Sequence, residues 1–127
     1  MGKILVIEGT DCSGKTTQYE RLCERLNKEN AHFATDSFPA YDSEGSFFVR
    51  EYLAGKFGTK PEDVDGHTAS VFYAVDRYYS YMTRDWGRVY REGGNVLFAR
   101  YITANLLHQA CKLKMEEEKI KFIDWLY

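Results

Sequence analysis

Residues 9 to 16 read GTDCSGKT, and this stretch limits the folds open to the chain more than any other. It fits the pattern G-x-x-x-x-G-K-S/T, in which glycines let the backbone curl until successive N–H groups point into one concavity. Such a loop works between a strand and a helix, because the helix start adds unpaired N–H groups and the positive end of its dipole. Both flanks are present. Lys3 to Ile7 is β-branched and apolar, and reads as a strand buried on both faces, as in a parallel sheet. From Lys15 the period changes: Tyr19, Leu22, Cys23 and Leu26 fall at i, i+3, i+4 and i+7, which predicts an amphipathic helix ending near Asn30. The concavity suits a nucleoside triphosphate. Gly9, Thr10, Asp11, Cys12, Ser13, Gly14, Lys15, Thr16 and Thr17 form the cradle, Lys15 reaches the β and γ phosphates, and the Thr16 hydroxyl binds Mg²⁺.

The rest of the chain continues the alternation. His32 to Asp36 predicts a weak second strand closed by Ser37-Phe38-Pro39, Ser43 to Leu53 a helix, and Gly55 to Asp65 a loop. Thr68 to Tyr81 predicts a helix dense in aromatics, with a short helix at Trp86 to Arg91 and a strand at Asn95 to Phe98. A helix from Thr103 to Lys114 and a helical tail from Glu116 to Tyr127 complete the reading, with the three glutamates at 116 to 118 a solvated helix start rather than a metal site. Strands alternating with helices predict an α/β fold, a P-loop NTPase-type three-layer arrangement around a parallel sheet, in one domain spanning 1–127.

Bulk properties narrow the partners. A chain of 127 residues supports one core, and a net charge of −2 with a pI near 5.9 argues against nucleic acid, whose phosphates need a basic face. The apolar runs fall far short of a membrane span, and MGKILVIEG lacks the basic start and cleavage site of a secretory signal, so a cytoplasmic protein is expected. Cys12, Cys23 and Cys111 are odd in number and widely spaced, which indicates neither a disulfide framework nor a zinc site. A base-reading NKxD segment of the GTPase kind is absent.

Further along, aromatic and arginine positions suit a second anion of nucleotide size: Phe38-Pro39 with Tyr41, Tyr73 with Arg77, and Arg100 with Asn105. The segments EGTDCSGKTTQ, SFPAYDS, FYAVDR and RYITANLLHQ resemble the successive motifs of the thymidylate kinase family, in the same order and at similar spacing, and the FGTKPEDV stretch is similar to a loop of bacterial members. The resemblance covers essentially the whole chain. It implies transfer of a phosphoryl group from ATP to dTMP, giving ADP and dTDP, with Lys15, Arg100 and Asp11 as the catalytic set. It implies that Asp11 meets the deoxyribose 3′-hydroxyl side, that Phe38, Pro39 and Tyr41 shape the acceptor pocket, and that Tyr73 stacks on thymine. Arg77 then bonds the base or its phosphate, Arg100 clamps the acceptor phosphate, and Asn105 and Gln109 line the base edge. A homodimer formed through helices, including 68 to 81, is implied as well.

Plainer readings stand beside these roles. Tyr73, Tyr78 and Tyr81 at helical spacing also suit a core or a dimer interface, Arg77 beside Asp76 reads by default as a surface ion pair, and Asp11 reads as a turn former. His108 is assigned no catalysis. The chain also departs from the family pattern. Ala99 stands where the family has aspartate, leaving Glu8 or Asp11 to supply a carboxylate near Mg²⁺. Ala104 replaces a serine, Cys12 stands where one branch has arginine, and the lid and later strands of the family are missing from the 127 residues. With a family strand order of 2-3-1-4-5, the far edge of the first strand is expected to be unpaired. Two alternatives therefore stay open, a deoxynucleoside kinase using Glu8 as base and a catalytically impaired nucleotide-binding or dimerisation fragment.

Overall fold

Three short β-prone runs pair into one parallel sheet in the order β1-β3-β2. The structure is a computed structural model that describes residues 2–127. The strands are β1 (Ile4–Ile7), β2 (Phe33–Ser37) and β3 (Asn95–Ala99). The helices are α1 (Lys15–Lys28), α2 (Phe47–Leu53), α3 (Gly66–Thr83), α4 (Asp85–Arg91), α5 (Ile102–Ala110) and α6 (Glu116–Leu126), with single 3₁₀ turns at Glu44–Ser46 and Pro61–Asp63. Ile4 pairs with Val96 and Ile7 with Ala99 on one side of β3, while Phe33 pairs with Asn95 and Ser37 with Ala99 on the other. The parallel α/β arrangement is the one the alternation predicts.

The centre of the sheet belongs to β3. Val96, Leu97 and Phe98 are fully buried there, as a run covered on both faces requires. The expectation that β1 is equally buried is wrong: Ile4, Leu5 and Val6 are 37, 51 and 36 % exposed. An apolar run reports that a strand can be buried, and a place with one neighbouring strand leaves β1 open along its other edge among the described residues.

Around Phe98 the core is aromatic. Phe38 and Trp86 meet its ring at centroid distances of 5.2 and 4.8 Å in edge-to-face geometry, and Tyr101 stacks on it at 5.2 Å. Burying one such side chain stabilises the fold by about 1.5–3 kcal/mol. The polar edge of this cluster is satisfied, because the Trp86 indole N–H donates to Ser80 Oγ (2.7 Å) and the Ser80 hydroxyl donates to Asp36 (2.7 Å).

The longest helix, α3, starts two residues before its predicted position because Asp65 caps it. Its Oδ1 accepts the backbone N–H groups of His67 (2.9 Å) and Thr68 (3.1 Å), satisfying two donors that no helical carbonyl can reach. In contrast, α5 stops at Ala110 rather than running to Lys114. The chain tightens there: the N–H of Lys112 donates to the Gln109 carbonyl, and the Lys112 ammonium is drawn to the Val64 carbonyl at 2.8 Å. The three glutamates of α6 sit exposed in its first turn, where the helix dipole favours negative charge.

Candidate active site

The loop from Glu8 to Thr17 joins β1 to α1, and its conformation follows from its sequence. Gly14 has φ +83° as the residue that caps α1, and no neighbour lies within 4 Å of where its Cβ would stand, so backbone conformation alone calls for glycine. Cys12 adopts φ +61° in the same turn. The Ser13 N–H donates to the Thr10 carbonyl (3.3 Å), and the Lys15 ammonium reaches that carbonyl at 3.4 Å, which folds the lysine over the loop. Thr16 and Thr17 follow in the exposed first turn of α1, whose N–H groups have no intrahelical acceptors.

The loop is fastened to the end of β3. Arg100 turns with φ +67°, its N–H donates to the Ile7 carbonyl (3.1 Å), and its guanidinium meets Asp11 Oδ1 at 2.5 Å. One residue on, the Tyr101 N–H donates to Glu8 Oε1 at 2.8 Å. The two carboxylates expected to compensate for Ala99 therefore each have a protein partner. Asp11 is an ion-pair partner as well as a turn residue.

Beside this junction opens a cavity of about 610 Å³, the size of pockets that enclose small ligands. Phe38, Pro39, Tyr41, Tyr73, Arg77, Arg100, Asn105 and Gln109 all line it, while Asp11, also expected to meet the acceptor, lies outside the lining and reaches it only through its ion pair with Arg100. Phe38 also serves the core, being 5 % exposed. Arg77 is not the surface ion pair its neighbour suggests: its guanidinium lies over the Tyr101 ring, 5.6 Å from the centroid, and burial pushes its pKa down. Burial likewise raises the Tyr73 phenol to about 12, keeping it neutral against a ligand. Of the three tyrosines at helical spacing, Tyr73 faces the cavity, Tyr81 packs against the core and Tyr78 is exposed. Asn105 donates to Ser70 Oγ (3.0 Å), leaving Asn105 Oδ1 and Gln109 Oε1 buried without hydrogen-bond partners. Buried acceptors without donors are costly unless a ligand supplies them.

Sequence reasoning missed part of the lining. Tyr101, Tyr52, His108, Lys112 and the 58–61 turn all reach the cavity, and Lys112 donates to the Tyr52 hydroxyl at 3.0 Å. The signal was present in the spacing: 105, 108, 109 and 112 fall on one face of α5 and the turn after it. For a metal, the residues fit one kind of binding. Among the described residues no group of three or more His, Cys, Asp or Glu is arranged to hold an ion. The hydroxyl of Thr16 at the loop is the type of single protein ligand that Mg²⁺ takes when it keeps its waters and binds mainly through nucleotide phosphates. Glu8 fits less well, with one oxygen engaged by Tyr101.

A glycine-rich loop curled between the first strand of a parallel sheet and the helix after it, tied through Asp11 to Arg100 on a cavity wall, is the arrangement of the P-loop NTPase fold class. The comparisons narrow the class. A family model described as thymidylate kinase matches residues 7–123, and the chain belongs to that family. Thymidylate kinase of Caenorhabditis elegans is 29 % identical over 87 % of this chain and 52 % of its own length. A protein named probable thymidylate kinase from Methanococcus maripaludis is 30 % identical over 86 % of this chain and 47 % of its own. Thymidylate kinase from Candida albicans shares the fold with a TM-score of 0.70 at 23 % identity, covering 98 % of this chain and 55 % of that one. The chain thus spans about half the length of the relatives it matches.

Proposed function

We propose that the protein transfers the γ-phosphoryl group of ATP to the phosphate of dTMP, forming dTDP and ADP. The observation that carries this reading is the junction at Arg100: one guanidinium lies on the wall of the acceptor cavity and touches Asp11 of the donor loop. Two phosphates held by these neighbouring groups are brought close enough to react, and alignment supplies most of what phosphoryl transfer requires of a protein. Lys15 and the loop N–H groups neutralise the donor phosphates, Arg100 and Arg77 orient the acceptor phosphate and base, and Tyr73 stacks on the base. The single N–H of thymine, at N3, donates to one of Asn105 Oδ1 and Gln109 Oε1, which gives one of those two buried oxygens its missing donor. Mg²⁺, held through Thr16 and nucleotide phosphates, supplies charge neutralisation when bound.

The cavity favours a nucleoside monophosphate over a nucleoside, because Arg77 on its wall makes no salt bridge among the described residues, whereas Arg100 already has Asp11. The reading also includes a homodimer and a cytoplasmic location. For the dimer, Val71, Val75, Tyr78 and Met82 form an exposed apolar stripe along the outer face of α3; for the location, no helix among the described residues is long and apolar enough to cross a membrane.

The test is ADP release by the purified chain with ATP and Mg²⁺, comparing dTMP with thymidine. Turnover with dTMP alone, lowered on the order of 100-fold or more by Lys15→Ala, is expected. Turnover with thymidine and none with dTMP would overturn the reading.

A further inference from the structure

Two adjacent residues of α3 have different surroundings. Arg77 lines the cavity, whereas Asp76 turns inward and is 0 % exposed. Asp76 Oδ2 accepts the backbone N–H of Ala40 at 3.0 Å, a bond between residues 36 apart in the chain. Ala40 is itself 2 % exposed and sits between Pro39 and Tyr41, which form one wall of the cavity. Tyr73 and Arg77, on the same helix as Asp76, line the same cavity. This buried hydrogen bond ties the 39–41 segment directly to α3, between the Ser80–Asp36 and Arg84–Asp42 contacts that hold the flanking residues to the same helix and its end.

The arrangement is an expensive way to satisfy one N–H. Asp76 Oδ1 has no partner, and burial opposes its charge, as does Asp36 nearby, while Arg77 and Arg84 favour it. Without Asp76, the 39–41 segment has to move to find another acceptor, and the cavity wall moves with it.

We propose that Asp76 is a positioning residue for the acceptor nucleotide, fixing the Pro39–Tyr41 wall against the helix that carries Tyr73 and Arg77. The role rests on the reading of this cavity as the dTMP site. It lies apart from the donor loop, so it predicts a selective effect: an error of about 1 Å at a substrate-orienting wall lowers binding or turnover by roughly 10- to 100-fold.

The test combines calorimetric titration of dTMP and of ATP, separately, with amide hydrogen exchange at Ala40. The wild-type amide is expected to be protected. Asp76→Ala is expected to release it and to weaken dTMP about tenfold or more, with the ATP constant unchanged. Asp76→Asn retains an amide oxygen for the same N–H, and is expected to keep dTMP affinity within about threefold. Equal loss of both nucleotides in Asp76→Ala, unaltered dTMP binding in that variant, or a freely exchanging Ala40 amide in the wild type would overturn the proposal. If Asp76→Ala does not fold, Asp76→Asn decides, because lost dTMP binding with Ala40 still protected refutes positioning through this bond. A wild type that binds ATP but no dTMP removes the acceptor reading and the role built on it, while Ala40 exchange still records the wall contact, so the two failures are distinguishable.

Discussion

Ala99 is where a single side chain most affects the chemistry. It stands at the end of β3, in register with Ile7 and Ser37, and the carboxylates of Glu8 and Asp11 are engaged by Tyr101 and Arg100. Ala99→Asp is expected to raise kcat about tenfold, the range that supporting groups around a metal contribute, with dTMP affinity little changed; steady-state kinetics at saturating ATP checks it. Asp76 gives a pH prediction. Burial raises its pKa above the ordinary 3.8, so the folded chain holds this proton more tightly than the unfolded chain. Stability from this group is then greatest at low pH and declines as pH rises from the unfolded value through the raised one. Asp76→Asn lacks that decline. Urea unfolding between about pH 4 and pH 7 is expected to show the variant gaining on the wild type as pH rises. The conformation of the glycine-rich loop was readable in the sequence, since Gly14 stands where the chain adopts a positive φ at the start of α1. Asp76 was not: its partner is a main-chain N–H 36 residues away, and no side-chain pattern records that.

At the level of elements, the strands, the helices and the open far edge of the first strand were anticipated, but burial and helix ends were not. The run Lys3 to Ile7 correctly marks a strand, yet β1 is exposed because periodicity carries no information about position in a sheet. The early end of α5 was hidden for a similar reason, since the chain there is drawn to Val64 by Lys112, a tertiary contact. The open edge of β1 has a measurable effect. Leu5→Lys places a charge on that strand, and is expected to slow aggregation, followed by light scattering on heating, with stability altered by no more than about 0.5 kcal/mol. Unchanged aggregation would show that the edge is not where chains associate.

For the whole molecule, the cavity and the proposed contact between copies lie on different faces of one helix. Tyr73 and Arg77 turn toward the cavity, while Val71, Val75, Tyr78 and Met82 turn outward. Self-association and substrate binding are therefore separable. Tyr78→Asp, at the most exposed member of the stripe, is expected to weaken dimerisation at least about tenfold in sedimentation experiments, and to leave ATP affinity as it was. A wild type that sediments as a monomer at about 100 µM would refute the interface. The relation between the two faces was invisible in the sequence, where cavity and surface aromatics alternate along the same helix without a label.

The tie between Glu8 and Tyr101 has a further consequence. Because the carboxylate at the end of one strand closes the first turn after another, the two strand termini unlatch together or not at all. The opening energy seen in exchange at the Tyr101 amide then also limits how often the lysine loop loses its shape, so a lesion at either end is felt at both.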